Sequence, residues 1–120
     1  MQHMILFYVK DPLASVEFYR RLFDEEPIDA SAGFAMFKVN DGTMLGLWNE
    51  LGVEPKPVAT AGASELGFHV ASNAEVDRYF QRWSQASFTI AQTPTTMDFG
   101  YTFTAVDPDG HRLRVFAAAG

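Results

Sequence analysis

The sequence predicts an α+β fold of two βαβββ modules with mixed sheets, and three observations carry that reading. Met4-Ile5-Leu6-Phe7-Tyr8-Val9, with Phe18, Tyr19 and Leu22 behind it, falls on Glu65-Leu66-Gly67-Phe68-His69-Val70, with Tyr79, Phe80 and Trp83, under a shift of 61 positions. A shift of 68 lays Asp41-Gly42 and Gly46-Leu47-Trp48 on Asp109-Gly110 and Arg114-Val115-Phe116. Each half also carries the same order of patterns, a strand, a helix and three strands. A duplicated unit in 120 residues predicts a pseudo-symmetric fold with its site between the halves, so equivalent positions can be compared with each other.

Met4 to Val9 is an apolar, aromatic and β-branched run stopped at Lys10-Asp11-Pro12. Asp11 is a natural N-cap, with Pro12 at the first helical position. Leu13, Val16, Phe18, Tyr19, Leu22 and Phe23 then form a buried stripe at helical spacing, with Glu17, Arg20, Arg21 and Asp24 on the wet side and Pro27 as the stop. Three short strands follow, about Ile28 to Ala32, Phe34 to Val39 and Thr43 to Asn49, the last two joined by the hairpin turn Asn40-Asp41-Gly42. From Glu50 to Ser64 the composition turns to Gly, Pro, Ala and Thr, that of a linker. The order then repeats: a strand from Glu65 to Val70, and a helix capped by Ser72, with Glu75 in the capping-box position, running to about Gln85. Strands at roughly Phe88 to Gln92, Tyr101 to Val106 and Leu113 to Ala117 complete it, the last two parted by the turn Asp107-Pro108-Asp109-Gly110. The chain is expected to be one domain, with module one at about 1–49, a linker at about 50–64 and module two at about 65–120.

Bulk properties remove several classes of function. No apolar run approaches the roughly 20 residues of a membrane span. The start Met1-Gln2-His3-Met4 lacks the basic and apolar regions of a secretory signal, so the expected compartment is the cytoplasm. With no cysteine there is no disulfide framework, thiolate metal site or thiol nucleophile. A net charge of -6, with no basic run longer than Arg20-Arg21, makes nucleic acid an unsuitable partner. Eleven Phe, four Tyr and two Trp are many rings for so small a chain, enough for some to face a cavity as well as the core.

Strand alternation sorts the faces. Ile5, Phe7 and Val9, repeated as Leu66, Phe68 and Val70, are uniformly apolar and must face the helices, as must Leu45 and Leu47 with their matches Leu113 and Val115. The opposite faces carry Met4, Leu6, Tyr8, Met44, Gly46 and Trp48 in one half, and Glu65, Gly67, His69, Arg112, Arg114 and Phe116 in the other. A face with Glu65, His69, Arg112 and Arg114 beside Tyr8, Trp48 and Phe116 reads as a ligand cleft rather than a second core.

At Val9-Lys10-Asp11-Pro12 with Ser15, Phe18-Tyr19-Arg20-Arg21-Leu22-Phe23, and Asp107-Pro108-Asp109-Gly110-His111 into Leu113-Arg114-Val115, the chain resembles the vicinal oxygen chelate superfamily of glyoxalases, bleomycin resistance proteins and ring-cleaving dioxygenases. The resemblance covers nearly the whole chain and implies a U-shaped mixed-sheet cup, commonly in a dimer that shares or exchanges modules. It also implies metal ligands at the positions that here read Met4, Gly46, Glu65 and Arg114. Met4 is a poor ligand for hard or borderline divalent metals, Gly46 has no side chain and Arg114 is permanently cationic. A Glu65 to Arg114 ion pair is therefore expected in place of the metal. His3 lies one residue out of phase for a substitute ligand, and His111 follows a turn glycine and reads as structural or exposed.

Leu45-Gly46-Leu47-Trp48, Ser64-Glu65-Leu66-Gly67, Val76-Asp77 with Trp83, and Phe99-Gly100-Tyr101-Thr102-Phe103 resemble more closely the metal-free antibiotic resistance proteins that sequester phenazines, with kin for mitomycin and quinoxaline-type drugs. Planar drugs are held there by stacking and edge hydrogen bonds, with no cofactor. The implied contacts are Trp48 and its counterpart Phe116 across the cleft, with Glu65, Arg114, His69, Tyr8, Met44, Arg112, Tyr101 and Phe103, although the facing of the Tyr101 to Val106 strand is open and Trp48 can equally pack in a dimer interface. Trp83 reads as core by its helical spacing with Val76, Tyr79 and Phe80, and Asp98-Phe99-Gly100 as a loop whose glycine admits a ligand or merely a turn. Asp11, Asp107 and Asp109 read as a cap and turn formers. The expectation is metal-independent drug binding by a homodimer, with or without exchanged modules. The alternatives are a metal-dependent lyase, transferase or dioxygenase, and a cofactorless enzyme with His69 or Glu65 as base and Arg114 stabilising an oxyanion.

Overall fold

The computed structural model describes residues 2–119. Its elements run β1 (His3–Val9), α1 (Pro12–Phe23), β2 (Asp29–Ala30), β3 (Phe34–Asn40), β4 (Thr43–Asn49), β5 (Glu65–His69), α2 (Asn73–Gln85), β6 (Thr89–Met97), β7 (Gly100–Val106) and β8 (Arg112–Ala118). The chain divides into two compact units, Met1–Ala61 and Gly62–Gly120. Each holds one helix and one four-stranded sheet, ordered β1-β4-β3-β2 in the first and β5-β8-β7-β6 in the second. β1 pairs with β4, and β5 with β8, in parallel, while the remaining neighbours are antiparallel. The expected α+β architecture of twice βαβββ is therefore the observed one.

Local chemistry sets the helix ends. The Asp11 carboxylate accepts from the Leu13 and Ala14 amides at 3.1 and 3.4 Å, and Pro12 needs no partner at the first position. α1 stops earlier than Pro27 because Asp24 turns left-handed, at φ 55°. At α2 the Ser72 hydroxyl accepts from the Glu75 amide at 3.2 Å, while the Glu75 carboxylate reaches back to the Ala71 amide at 2.8 Å, one residue beyond the usual capping box.

Two strands depart from their expected lengths. β2 is cut to Asp29–Ala30 because the Ser31 hydroxyl and backbone bond to Phe34 and begin the hairpin turn. β6 runs on to Met97 through Pro94, since an edge strand can spare that amide, and its register shifts between Ile90 and Gln92 and between Gln92 and Thr95.

The cores sit where alternation predicts. Phe7, Val9, Ala35, Phe37, Leu45 and Leu47 pack with Val16, Phe18, Tyr19 and Leu22 of α1 to bury one face of the first sheet. In the second unit Leu66, Phe103, Ala105, Leu113, Val115 and Ala117 are buried with Val76 and Trp83 of α2. Trp83 meets the rings of Phe68, Tyr79, Phe88 and Phe103, as expected of a core residue, and truncating it to Ala should cost about 3–5 kcal/mol. The expected linker is partly folded: a 3-10 turn at Glu50–Gly52 is capped by the Asn49 side chain, and Val53 is buried. Among the described residues no helix is long and apolar enough to cross a membrane.

Candidate functional site

Turning one face of each sheet to its helix leaves the other face open to function. In the second unit the strand pairs Glu65 with Arg112, Gly67 with Arg114 and His69 with Phe116 put these side chains together on that face. Arg114 organises it. Its Nε and Nη2 donate to Glu65 Oε2 and Oε1, both at 3.0 Å, a two-pronged ion pair. Its Nη1 donates to Gln92 Oε1 at 3.1 Å and to Thr102 Oγ1 at 3.2 Å. Thr102 in turn donates to the Val115 carbonyl at 2.8 Å, and Thr104 to Gln92 Oε1 at 3.4 Å. Hydrogen bonding from Arg114 holds the Glu65 carboxyl below the usual carboxylate range, against some opposing desolvation and helped by the charges of Arg114 and Arg112. The expected Glu65 to Arg114 ion pair is present, and each oxygen of the carboxylate is engaged.

Beyond the ion pair the face is aromatic. His69 stacks on Phe116 with centroids 5.0 Å apart and planes 11° apart, and Phe99 meets Phe116 edge-on at 6.1 Å. The Arg114 guanidinium also lies 5.7 Å from the centre of the Phe99 ring. Phe99 is held in place by its carbonyl, which accepts from the Ala119 amide, and by Gly100. At φ +147° a Cβ on Gly100 would collide with the Ala117 carbonyl, so this glycine admits the backbone of β8 rather than a ligand.

The open face of the first unit carries Met4, Leu6 and Tyr8 of β1, Met44, Gly46 and Trp48 of β4, and Phe34 and Met36 of β3. It is apolar and accessible, with Met4, Leu6 and Tyr8 all exposed. Tyr8 meets Trp48 edge-on at 6.3 Å. The space beside Gly46 is taken: a Cβ there would lie 2.6 Å from Leu6 Cδ2 and 2.9 Å from Phe34 Cζ. Among the described residues, no three His, Cys, Asp or Glu side chains gather as a metal would need.

Two expected contacts are corrected. Tyr101 and Phe103 face α2, not the open side: Phe103 is fully buried against Phe80 and Trp83, and the Tyr101 hydroxyl donates to Asp77 at 2.7 Å. The alternate residues Thr102 and Thr104 take the open face instead. His3 points away from the Met4 side, as its phase predicts, and His111 is buried, its Nδ1 3.3 Å from the Ser64 hydroxyl. The Asp107 carboxylate accepts from the amides of Asp109 and His111, the turn-forming role read for it.

Comparison with known proteins places this geometry in a family. The Glyoxalase/Bleomycin resistance protein/Dioxygenase superfamily matches residues 1–115. The phenazine antibiotic resistance protein EhpR of Enterobacter agglomerans is 30% identical over 113 residues, covering 92% of this chain and 86% of that protein. A solution NMR structure of a protein from Agrobacterium tumefaciens is 44% identical, with a TM-score of 0.83 over 98% of this chain and 96% of that one. A glyoxalase/bleomycin resistance protein/dioxygenase from Nocardioides, 21% identical, shares the fold at a TM-score of 0.83, covering 98% of this chain and 83% of its own. With its twice-repeated βαβββ order and a match over nearly its whole length, the chain belongs to the glyoxalase/bleomycin resistance protein/dioxygenase superfamily.

Proposed function

We propose that this protein binds a small planar aromatic compound of phenazine, mitomycin or quinoxaline type without a metal, and protects its host by sequestering it. The observation that carries the reading is the ion pair of Glu65 with Arg114. At the positions where the family's metalloenzymes hold their ion, one carboxylate is already consumed by a guanidinium, and a permanent cation stands in for a ligand. The Gly46 position is filled by Leu6 and Phe34, and Met4 offers only a soft thioether. This donor set does not fit a divalent metal. The open face of the second unit instead supplies a ring pair, Phe116 with His69, for a flat ligand to stack on, and a polar edge at Arg114 and Arg112 that fixes its orientation, while the open face of the first unit carries a ring pair of its own, Trp48 with Tyr8.

The resistance role is supported by the likeness to the phenazine antibiotic resistance protein. The protein acts as a cytoplasmic homodimer in this reading, with no cofactor and no turnover. Titration of phenazine and quinoxaline-type compounds with tryptophan emission as readout should show saturable quenching, and the ligand should be recovered unchanged. Absence of any quenching or thermal shift at high micromolar ligand defeats the reading, as does stoichiometric Zn, Ni, Mn or Fe in protein purified without chelator.

A further inference from the structure

Methionine is sparse in this chain and unevenly placed. Five are present in 120 residues, and of the four among the described residues three, Met4, Met36 and Met44, stand on the open face of the first sheet. The fourth, Met97, is in the other unit. Met4 of β1 is paired with Met44 of β4, so their side chains leave neighbouring strands side by side, about 5 Å apart at the backbone. Met36 of β3 is opposite Gly46, which puts it diagonally across from Met44 on the next strand, at about 7–8 Å. Phe7, Ala35, Phe37 and Leu45, the alternate residues, are buried on the helix side, and this turns the three thioethers outward. Met4 is 48% exposed, and Met36 and Met44 are half-buried.

The donors are all of one kind. A thioether is neutral and polarizable, a weak ligand for hard or borderline divalent ions and a suitable one for soft monovalent ions such as Cu(I) and its analogue Ag(I). Those ions accept two or three ligands. Met4 and Met44 supply a pair across the gap between their strands, Met36 supplies a third from the far side, and their unbranched side chains can converge without moving the backbone. Leu6 and Phe34 close over Gly46 beside them and keep the surroundings apolar. The charged neighbours are Lys38, opposite Met44, and Asp29 of β2, opposite Met36. The Lys38 ammonium is drawn to Asp41 at 3.0 Å, so its repulsion of a cation is offset.

We propose that the open face of the first unit binds one soft monovalent metal ion, Cu(I) or Ag(I), between the thioethers of Met4 and Met44, with Met36 as third ligand. Thioethers carry no proton, so this site takes up its ion without the proton release that imidazole, thiolate or carboxylate ligands require. The site does not depend on the aromatic-binding reading above and goes beyond it.

The test is calorimetric titration of Ag(I), and separately of Zn(II), into the full chain in chloride-free buffer at about pH 7.5 and about pH 5.5, on either side of the ordinary histidine value. Wild type should take up a single equivalent of Ag(I) equally well at both and give no heat with Zn(II). Met4→Leu and Met44→Leu keep the apolar volume and remove the sulfur, and each should weaken Ag(I) by about ten- to a hundredfold. Met36→Leu should weaken it less, and Met97→Leu should bind as wild type does, with circular dichroism reporting that each variant is folded. Ag(I) binding that is undiminished in Met44→Leu overturns the inference. So does binding that is lost at the lower pH, which assigns the ion to imidazole, or binding that Zn(II) matches, or no binding at all. Quenching by planar aromatic compounds is a separate measurement, so the failure of either reading is distinguishable from the failure of the other.

Discussion

The two parallel strand pairs solve one packing problem in opposite ways. In the first unit Leu6 of β1 stands opposite Gly46 of β4, and the leucine lies over the glycine. In the second unit the glycine is on the other strand: Gly67 of β5 stands opposite Arg114 of β8. The first solution yields an apolar face of Met4, Leu6, Phe34 and Trp48, and the second a polar one built outward from a guanidinium. The edge strands differ in step, since β2 is 2 residues long and β6 is 9, and only the longer one delivers a Gln92 to Arg114. The repeat preserved the ring pairs, Tyr8 with Trp48 and His69 with Phe116, at matching registers. What diverged is the chemistry beside them, an apolar face in the first unit and a closed ion pair in the second.

Removing Arg114 should break the second solution most severely. Its side chain is 17% exposed and makes four hydrogen bonds, so Arg114→Ala strands the Glu65 carboxylate and takes one hydrogen bond from each of Gln92 and Thr102. Glu65 is 39% exposed and keeps some water, which puts the loss below that of a fully buried pair, at about 2 kcal/mol in urea unfolding. A loss under about 0.5 kcal/mol would mean the pair is an ordinary surface contact. The pH dependence gives a second check. The carboxyl of Glu65 is held below 4.5 in the folded state, so the pair's contribution is complete above that value and is lost as pH falls through the lowered folded value. The stability difference between wild type and Glu65→Gln should accordingly stay constant above pH 4.5 and narrow only below it.

The two glycines give the next contrast. At Gly46 an added Cβ lies 2.6 Å from Leu6 and 2.9 Å from Phe34, so both side chains must shift, and Gly46→Ala should cost about 1–2 kcal/mol. At Gly67 the nearest atom is Phe116 Cε1 at 3.5 Å, an ordinary contact, so Gly67→Ala should stay within about 0.5 kcal/mol of wild type. Adding Leu6→Ala to Gly46→Ala should recover part of the loss, because the second change vacates the space the first one needs. Equal costs at the two glycines would erase the asymmetry.

Most of this arrangement is legible in the sequence because strict alternation needs no tertiary knowledge. Phe7 and Val9, and Leu113 and Val115, are apolar at every second position, so the opposite residues Glu65, Arg112 and Arg114 fall on one face, and the choice of Arg114 as the partner of Glu65 comes from the family resemblance. The alternation fails to decide β7, where threonines and rings both suit a strand and either set can be buried. What decides it is the aromatic stripe of α2, where Phe80 and Trp83 claim Phe103 and turn Thr102 outward. Gln92 was hidden for a different reason: the register shifts on both sides of it break the period of two. Phe99 belongs to a turn with no period at all, and only the hydrogen bond of its carbonyl and the close approach at Gly100 bring its ring to Phe116.

The smallest expected effect tests which side of β7 faces the ligand. The Tyr101 hydroxyl donates to Asp77 at 2.7 Å, tying β7 to α2 on the helix side. That hydrogen bond raises the phenol above 10.0, so its stabilising effect is present below the ordinary phenol value and is lost as pH rises through the raised folded value. Tyr101→Phe should lower stability less than Gly46→Ala does, and Asp77→Asn should move the phenol titration, followed by ultraviolet absorbance, back toward 10.0. Neither change should alter affinity for a planar aromatic ligand, whereas Phe116→Leu should weaken it about tenfold by removing one stacked ring. If Tyr101→Phe weakened binding as much as Phe116→Leu, the ligand would have to reach the helix side of β7. The open face of the second sheet would then be a surface without a ligand, and its ion pair only a structural clasp.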